Sequence, residues 1–314
     1  MKILINDGIA DAGKKLLEDA GFEVDTNKIP QEELIDKLND YDAICIRSAT
    51  KVRKDLIDAC PNLKAIGRGG VGLDNIDVDH ARSKGIHILN TPAASSRSVG
   101  ELAFAHMLSI ARSVHDANRK MPVEGGFSFK GLKKSYSKGI ELEGKVLGVI
   151  GAGRIGSQTI RLGLGLGMKV IPVDPFLSEV NVRMGGNEHG LDVTLKVQTM
   201  EEMLPKADFI SIHVPSMDKP IIGAAEFNQM KDGVVIVNCA RGGIIDEDAL
   251  IEAINSGKVL GAGLDVFAGE PSPREDILKH PKISLTPHTG ASTLEAQDKI
   301  GTELAQKLID VLKS

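Results

Sequence analysis

KVLGVIGAGRIG, residues 145–156, is the stretch on which the reading of the fold turns. The apolar run at 146–150 passes directly into Gly151-x-Gly153-x-x-Gly156, and a helical pattern follows over 160–166. A second apolar run, KVIPV at 169–173, ends on Asp174, 18 residues beyond the third glycine. Glycines permit a tight turn and a close backbone approach to a pyrophosphate at a helix N-terminus, and an acid at the next strand end accepts from ribose hydroxyls. The spacing predicts a dinucleotide site built on Gly151, Gly153, Gly156 and Asp174. The carboxylate would repel a 2′-phosphate, so NAD is expected over NADP. Gly163, Gly165 and Gly167 crowd the end of the same helix; each interior Gly costs about 1 kcal/mol against Ala, which points to close packing there.

Outward from this motif the same alternation continues in both directions. Candidate strands at 2–6, 22–25, 43–46, 64–67 and 87–90 precede it, and 146–150, 169–173, 209–213, 234–238, 261–265 and 283–286 follow. Continuous apolar runs separated by helix-length segments are the mark of βαβ units and parallel sheets. Eleven strands exceed what one doubly wound sheet comfortably holds, and 314 residues suit about two domains. The break falls near Thr91-Pro92. Apolar residues at helical spacing predict one long helix over 95–120, and the Gly-, Ser- and Lys-rich 125–139 reads as an exposed loop in which Lys133, Lys134 and Lys138 are solvated. A terminal helix is expected over 293–312.

Composition removes several function classes. Lys plus Arg is 38 against 43 Asp plus Glu, a net charge of −5, which argues against a surface built to grip nucleic acid. Ten aromatic residues leave few stacking platforms for single strands. Cys45, Cys60 and Cys239 fit neither a disulfide framework nor metal-ligand spacing, so no metal is expected and a reducing, cytoplasmic location is. No run approaches the ~18 apolar residues of a membrane span, and Asp7-Gly8 interrupts the N-terminal apolar stretch too early for a signal peptide.

Open α/β sheets bind ligands at the carboxyl ends of their strands. Gathered there are Arg47-Ser48, Arg68-Gly69-Gly70, Asp174, Val214-Pro215, Cys239-Ala240-Arg241, Asp265 and Pro287-His288, a set that favours a cleft lined from both domains. Three ionisable residues stand out: Arg241 in NCARGGIID, Glu270 in LDVFAGEP and His288 in TPHTGAST. Oxidising a carbinol needs a base for the hydroxyl proton, for which His is suited, and a carboxylate beside it would orient the ring. Arg offers a planar fork for a substrate carboxylate. On chemistry alone a buried or capping role for His288 stands level with this one. His80, His87, His106, His115, His189, His213 and His280 have no motif partner and read as structural, with His213 alone placed near the cofactor side.

IGAGRIG with Asp174, NCARGGIID, GLDVFAGEP and TPHTGAST occur in the order and spacing of the D-2-hydroxyacid dehydrogenases, which the whole chain resembles. The resemblance implies an α/β protein of two Rossmann-like, doubly wound parallel-sheet domains. A smaller, discontinuous, flavodoxin-like substrate domain would take 1–94 and 288–314, and an NAD-binding domain 95–287. It implies Arg241 as the residue that binds and polarises substrate, His288 as acid/base and Glu270 as its partner. Arg154-Ile155 and Asp174 would hold the adenosine half of NAD; Val214, Cys239, Ala240, Asp265, Gly290 and Ala291 would line the nicotinamide side. Arg47, Ser48, Gly69 and Gly70 would face the substrate. RSATKV at 47–52 and GRGGVGLDN at 67–75 are most similar to the branch that oxidises 3-phospho-D-glycerate to 3-phosphooxypyruvate, which opens a route to serine. A glyoxylate or hydroxypyruvate reductase on the same scaffold, or a non-catalytic NAD-binding module like the corepressor relatives, remain alternatives.

The chain also departs from the pattern: Val71 stands where Thr is frequent, and no Trp lies near 127–132. With the sequence running to Ser314, the regulatory ACT domain of longer relatives is expected to be absent. A homodimer through the NAD-binding domains is implied as well, with a small-molecule substrate and neither nucleic acid nor membrane as partners.

Overall fold

The structure, a computed structural model, describes residues 1–185 and 190–313; His189 lies outside them. The chain divides into two compact units, Met1–Ser96 with Ala291–Ser314, and Arg97–Gly290.

In the first unit β1 (Lys2–Ile5), β2 (Glu23–Asp25), β3 (Ala43–Ile46), β4 (Ala65–Arg68) and β5 (His87–Asn90) form a parallel sheet in the order β2-β1-β3-β4-β5. Successive strand residues point to opposite faces. Leu4, Ile44, Ile46 and Ile66 pack with residues of α2 (Leu34–Lys37), α3 (Lys54–Ala59) and α4 (Val78–Ser83). Ile3, Ile5, Ala43, Cys45 and Ala65 face α1 (Asp11–Asp19) and the C-terminal helix, Leu294–Leu312. Burial of both faces is why these strands read as unbroken apolar runs. The two helices of the second face meet backbone to backbone: a Cβ on Gly13 would lie 2.5 Å from the carbonyl of Gly301.

In the second unit β6 (Val146–Ile150), β7 (Lys169–Val173), β10 (Phe209–Ile212), β11 (Val234–Asn238), β12 (Val259–Leu264) and β13 (Ile283–Leu285) pair in parallel, in the order β13-β12-β11-β10-β6-β7. On one face Leu147, Val149, Phe209, Val235 and Val237 pack with α5 (Ser96–Ala111) and α7 (Arg154–Gly165). On the other, Ile210, Ile212, Val234, Ile236 and Leu264 pack with α8 (Met200–Met203), α9 (Ala224–Gln229), α10 (Glu247–Asn255) and α11 (Glu275–Lys279). Strand order reverses between β1 and β3 in one sheet and between β6 and β10 in the other, and those are the places where open sheets leave a ligand crevice.

Three expectations are corrected. The single long helix is broken at Ser113, whose φ of 53° is left-handed, and α6 (Val114–Ser135) begins after it. The expected loop at 125–139 is therefore helical as far as Ser135. A non-helical Ser128 bends it (φ −119°, ψ 22°), Leu132 is buried, and Tyr136 Oη donates to Asp116 Oδ2 at 2.8 Å. A straight helix would hold those two residues about 30 Å apart, so the second half of α6 turns back on the first. The third correction adds an antiparallel pair, β8 (Glu179–Met184) and β9 (Leu191–Lys196), whose alternating pattern buries Val180 and Val182. No helix among the described residues is long and apolar enough to cross a membrane.

The helix-end glycines separate by cause. A Cβ on Gly163 would sit 2.8 Å from Leu147 Cδ2, and Gly167, at φ 74°, ends the helix in the left-handed region. Among the described residues nothing nearer than 4.0 Å opposes a side chain at Gly165. We therefore expect opposite signs from two Gly→Ala changes measured by urea unfolding. Gly13→Ala should lower the unfolding free energy by about 1–3 kcal/mol through overpacking. Gly165→Ala should raise it by up to about 1 kcal/mol. Equal effects at the two sites would contradict this account of the helix contact.

Candidate active site

At the β6–β10 switch point the glycine turn is sterically dictated. A Cβ on Gly156 would lie 1.9 Å from the carbonyl oxygen of Gly151, and one on Gly151, itself at φ 87°, would lie 2.5 Å from that of His213. Gly153 is the N-cap of α7, and among the described residues no atom beyond its chain neighbours stands within 4 Å of where its side chain would be. The turn thus leads into the N-terminus of a twelve-residue helix that has no side-chain cap, which suits a pyrophosphate. Arg154 and Ile155 open that helix. Asp174, at the end of β7, accepts from Ala152 N at 3.0 Å and from Phe176 N at 2.9 Å. The acid expected to choose NAD also fixes the glycine loop. Val214 lies half-buried just past β10, and Cys239 and Ala240 are buried just past β11.

The proposed acid–base pair is in contact. His288 Nδ1 stands 2.8 Å from Glu270 Oε2, while Glu270 Oε1 accepts from Phe267 N at 2.9 Å. With both carboxylate oxygens engaged the side chain cannot swing. Nδ1–H is held toward it, which leaves Nε2 as the accepting nitrogen of the neutral ring. His288 is exposed and has a φ of 54°. Its loop is gripped by Asp265, only 1% exposed, whose carboxylate accepts from Thr289 N (2.7 Å), Gly290 N (2.8 Å) and the Thr286 hydroxyl (2.6 Å). The Asp265 carbonyl accepts from His288 N at 2.8 Å. Ser98 Oγ closes the far side by donating to Gly290 O at 2.6 Å. Arg241 sits past the end of β11, and its Nη1 donates to Ala240 O at 2.7 Å. Asn238 Nδ2 donates to Arg241 O at 2.8 Å. Arg241, Glu270 and His288 thus follow the carboxyl ends of three adjacent strands.

In the first unit Arg47 and Ser48 follow β3 at the other switch point. Asp7, which sequence reasoning passed over, shapes their loop: it accepts from Arg47 N (2.7 Å), Thr50 N (3.0 Å) and Thr50 Oγ1 (2.8 Å). Asn75 Nδ2 donates to the carbonyls of Arg47 (2.7 Å) and Thr50 (2.6 Å). The signal for Asp7 was its place two residues past β1. Gly69 and Gly70 follow β4; a Cβ on Gly70, at φ 142°, would lie 2.0 Å from Arg68 Nη1, so a second cation lies against the same turn. Ala291 opens the return into this unit, and its carbonyl accepts from Gln297 Nε2 at 2.6 Å. Among the described residues no group of three or more His, Cys, Asp or Glu could hold a metal ion.

The model of the D-isomer specific 2-hydroxyacid dehydrogenase NAD-binding domain matches residues 104–290. The D-3-phosphoglycerate dehydrogenase of Methanocaldococcus jannaschii is 43% identical over 316 residues, covering 100% of this chain and 58% of that protein. The hydroxypyruvate reductase of Thermotoga maritima is 42% identical, covering 99% of this chain and 98% of that one. The holo D-mandelate dehydrogenase of Rhodotorula graminis superposes with a TM-score of 0.84 at 26% identity, covering 98% of this chain and 93% of that one. The chain spans a little over half the length of the phosphoglycerate dehydrogenases that it matches.

His213 supplies a prediction about pH. Its Nε2 lies 2.9 Å from both Thr159 Oγ1 and Ser211 Oγ, its Nδ1 is shut off from water, and burial pushes its pKa down to about 3. Below pH 6.5 the unfolded imidazole takes a proton that the folded one refuses, so this stability is complete above 6.5 and is lost as the pH falls toward 3. Between pH 7 and pH 5 the residue should remove about 2 kcal/mol. His213→Asn should flatten the loss measured by urea unfolding at the two pH values by that amount; an unchanged slope would contradict the assignment.

Proposed function

Because the chain belongs to the D-isomer specific 2-hydroxyacid dehydrogenase family, we propose that it oxidises 3-phospho-D-glycerate to 3-phosphooxypyruvate with NAD. The observation that carries the oxidoreductase reading is the His288–Glu270 contact at the edge of a sheet whose glycine turn fits a dinucleotide. NAD held by the Gly151, Gly153 and Gly156 turn and by Asp174 would supply the acceptor for a hydride. His288 Nε2 takes the proton of the C2 hydroxyl, and Glu270 favours the imidazolium that results. Arg241 binds the carboxylate of the substrate and draws electron density from the oxygen on C2. Asp265 keeps the His288 loop in place while the proton moves.

The phosphorylated substrate is favoured by the 43% identity to a phosphoglycerate dehydrogenase over the whole chain and by Arg47, whose backbone is set by Asp7 and Asn75. A reductase of hydroxypyruvate is the second reading, favoured by the Thermotoga relative, which matches along its full length. Steady-state turnover with 3-phosphoglycerate, glycerate, hydroxypyruvate and glyoxylate separates them. Arg47→Ala should raise KM for 3-phosphoglycerate about tenfold or more, since losing a charged hydrogen-bond partner costs about 1.5–3 kcal/mol. Glycerate should be a poor substrate and nearly indifferent to the change. If both substrates suffer alike, or the unphosphorylated acids are preferred, the reductase reading replaces this one, and no turnover at all would leave a binding module.

We also propose that the protein is a homodimer joined through its NAD-binding units. The helical course of α6 leaves Phe127 82%, Val123 73% and Phe129 59% exposed, and Val114 and Met121 are exposed on the same element. Bared aromatic surface of this extent marks an interaction site. Sedimentation equilibrium should give a dimer, and Phe127→Glu with Phe129→Glu should give a folded monomer by circular dichroism. A wild-type monomer would refute the interface. A cytoplasmic setting fits the three buried, unpaired cysteines.

A further inference from the structure

His106 was read from sequence as a structural histidine, yet its surroundings are not those of a packing residue. It lies on α5 and is 2% exposed. Its Nδ1 stands 2.9 Å from Ser284 Oγ, on β13, and its Nε2 stands 3.0 Å from Thr286 Oγ1. Gly263 on β12 makes the approach possible, since a Cβ there would lie 2.5 Å from His106 Cβ.

Each proton in this cluster can be placed. Asp265 Oδ1 already accepts the amide N–H of Thr289, and Oδ2 that of Gly290, so the carboxylate is an acceptor. Thr286 has one proton, and it goes to Asp265 Oδ1 at 2.6 Å. Thr286 Oγ1 can then only accept from His106, which puts the ring proton on Nε2. Nδ1 is left to accept from the Ser284 hydroxyl. Burial pushes the His106 pKa down to about 4, so the ring is neutral at physiological pH and keeps this one tautomer.

We infer that His106 is a positioning residue for the hydride-transfer reaction, acting through Thr286 and Asp265 on the backbone of the His288 loop. The chain of donors runs one way, from Ser284 through His106 and Thr286 to Asp265, and ends on the carboxylate that grips Thr289 and Gly290. Without the imidazole donor, the Thr286 hydroxyl loses the partner that fixes its rotamer. Asp265 Oδ1 then loses its shortest donor, and the carboxylate holds the His288 loop less tightly through the two amides that remain. An apolar side chain of similar size could fill the space but not direct the hydroxyl. The inference rests on the acid/base role proposed for His288.

The test compares His106→Leu, His106→Gln, Thr286→Val and the double variant His106→Leu/Thr286→Val in the full chain, with the best substrate of the panel above and NAD. Leu removes the donor, whereas Gln offers an amide N–H to Thr286. The expected result is a kcat lowered about tenfold in His106→Leu, with KM for the hydroxy acid changed by less than about threefold. Thr286→Val should match it, the double variant should be no slower than the worse single, and His106→Gln should recover to within about twofold of wild type. A wild-type kcat in His106→Leu, additive losses in the double variant, or no recovery with Gln would overturn the inference and leave His106 a packing residue. Imidazole ¹⁵N shifts of the unsubstituted protein at pH 6 apply even where a variant does not fold: the expected species is neutral with the proton on Nε2, and a proton on Nδ1 or a charged ring overturns it. His288→Ala is run alongside. Its inactivity with a normal His106→Leu rejects only the present inference, whereas its full activity rejects the acid/base reading and this inference with it.

Discussion

A parallel sheet covered by helices on both faces leaves its strand ends as the place where polar chemistry can meet solvent, and both units of this protein are built on that constraint. Ile3, Leu4, Ile44 and Ile66 in one sheet and Phe209, Ile210 and Ile236 in the other are fully or almost fully buried. A charged side chain in the middle of such a strand would be desolvated without a partner, at a cost of several kcal/mol after relaxation. Arg47, Asp174, Arg241 and His288 accordingly all lie beyond the last residue of a strand. The sheet order reverses once in each unit, and a crevice opens there because neighbouring crossovers leave toward opposite faces.

Strand ends are also where backbone groups run out of ladder partners, and carboxylates supply them. Asp7 takes the amides of Arg47 and Thr50, Asp174 those of Ala152 and Phe176, Asp265 those of Thr289 and Gly290, and Glu270 that of Phe267. Each of these acids has a loop to hold in addition to any ligand it meets. Replacing Asp174 therefore does more than remove a charge from a ribose site: it frees the turn whose shape Gly151 and Gly156 impose. The same holds at Glu270, where one oxygen orients the imidazole and the other anchors the strand-end turn.

Most of the strand framework was legible because burial on both faces writes a continuous apolar run, as in 43–46, 146–150 and 234–238, each of which matches its strand in full. β8 and β9 escaped because they are buried on one face only, so EVNVRM alternates and contains no run. α6 escaped because Gly125, Gly126 and Ser128 read as a loop, whereas Leu132 and the Tyr136–Asp116 bond hold it helical by contacts that sequence spacing does not display. At the candidate site the motif residues announce themselves by type and spacing, since a glycine turn, an acid and a histidine are short-range signals. Their organisers do not: Asp7 reaches 40 residues along the chain to Arg47, and His106 reaches 180 to Thr286.

The backbone of His288 shows why so many organisers are present. A left-handed conformation costs a residue with a Cβ roughly 1–2 kcal/mol, and an isolated exposed loop would relax out of it. Here the amides on either side are both committed. His288 N donates to the Asp265 carbonyl, and Thr289 N and Gly290 N donate to its carboxylate. Hydrogen bonds to a charged acceptor contribute about 1.5–3 kcal/mol each, so two of them exceed the strain even before the Thr286 and Ser98 contacts are counted. A right-handed His288 would redirect the amides that make these bonds, two of which end on the buried carboxylate. The conformation that sets Nδ1 against Glu270 is thus the one that the buried Asp265 requires, and the exposed histidine takes its orientation from a group that solvent scarcely reaches.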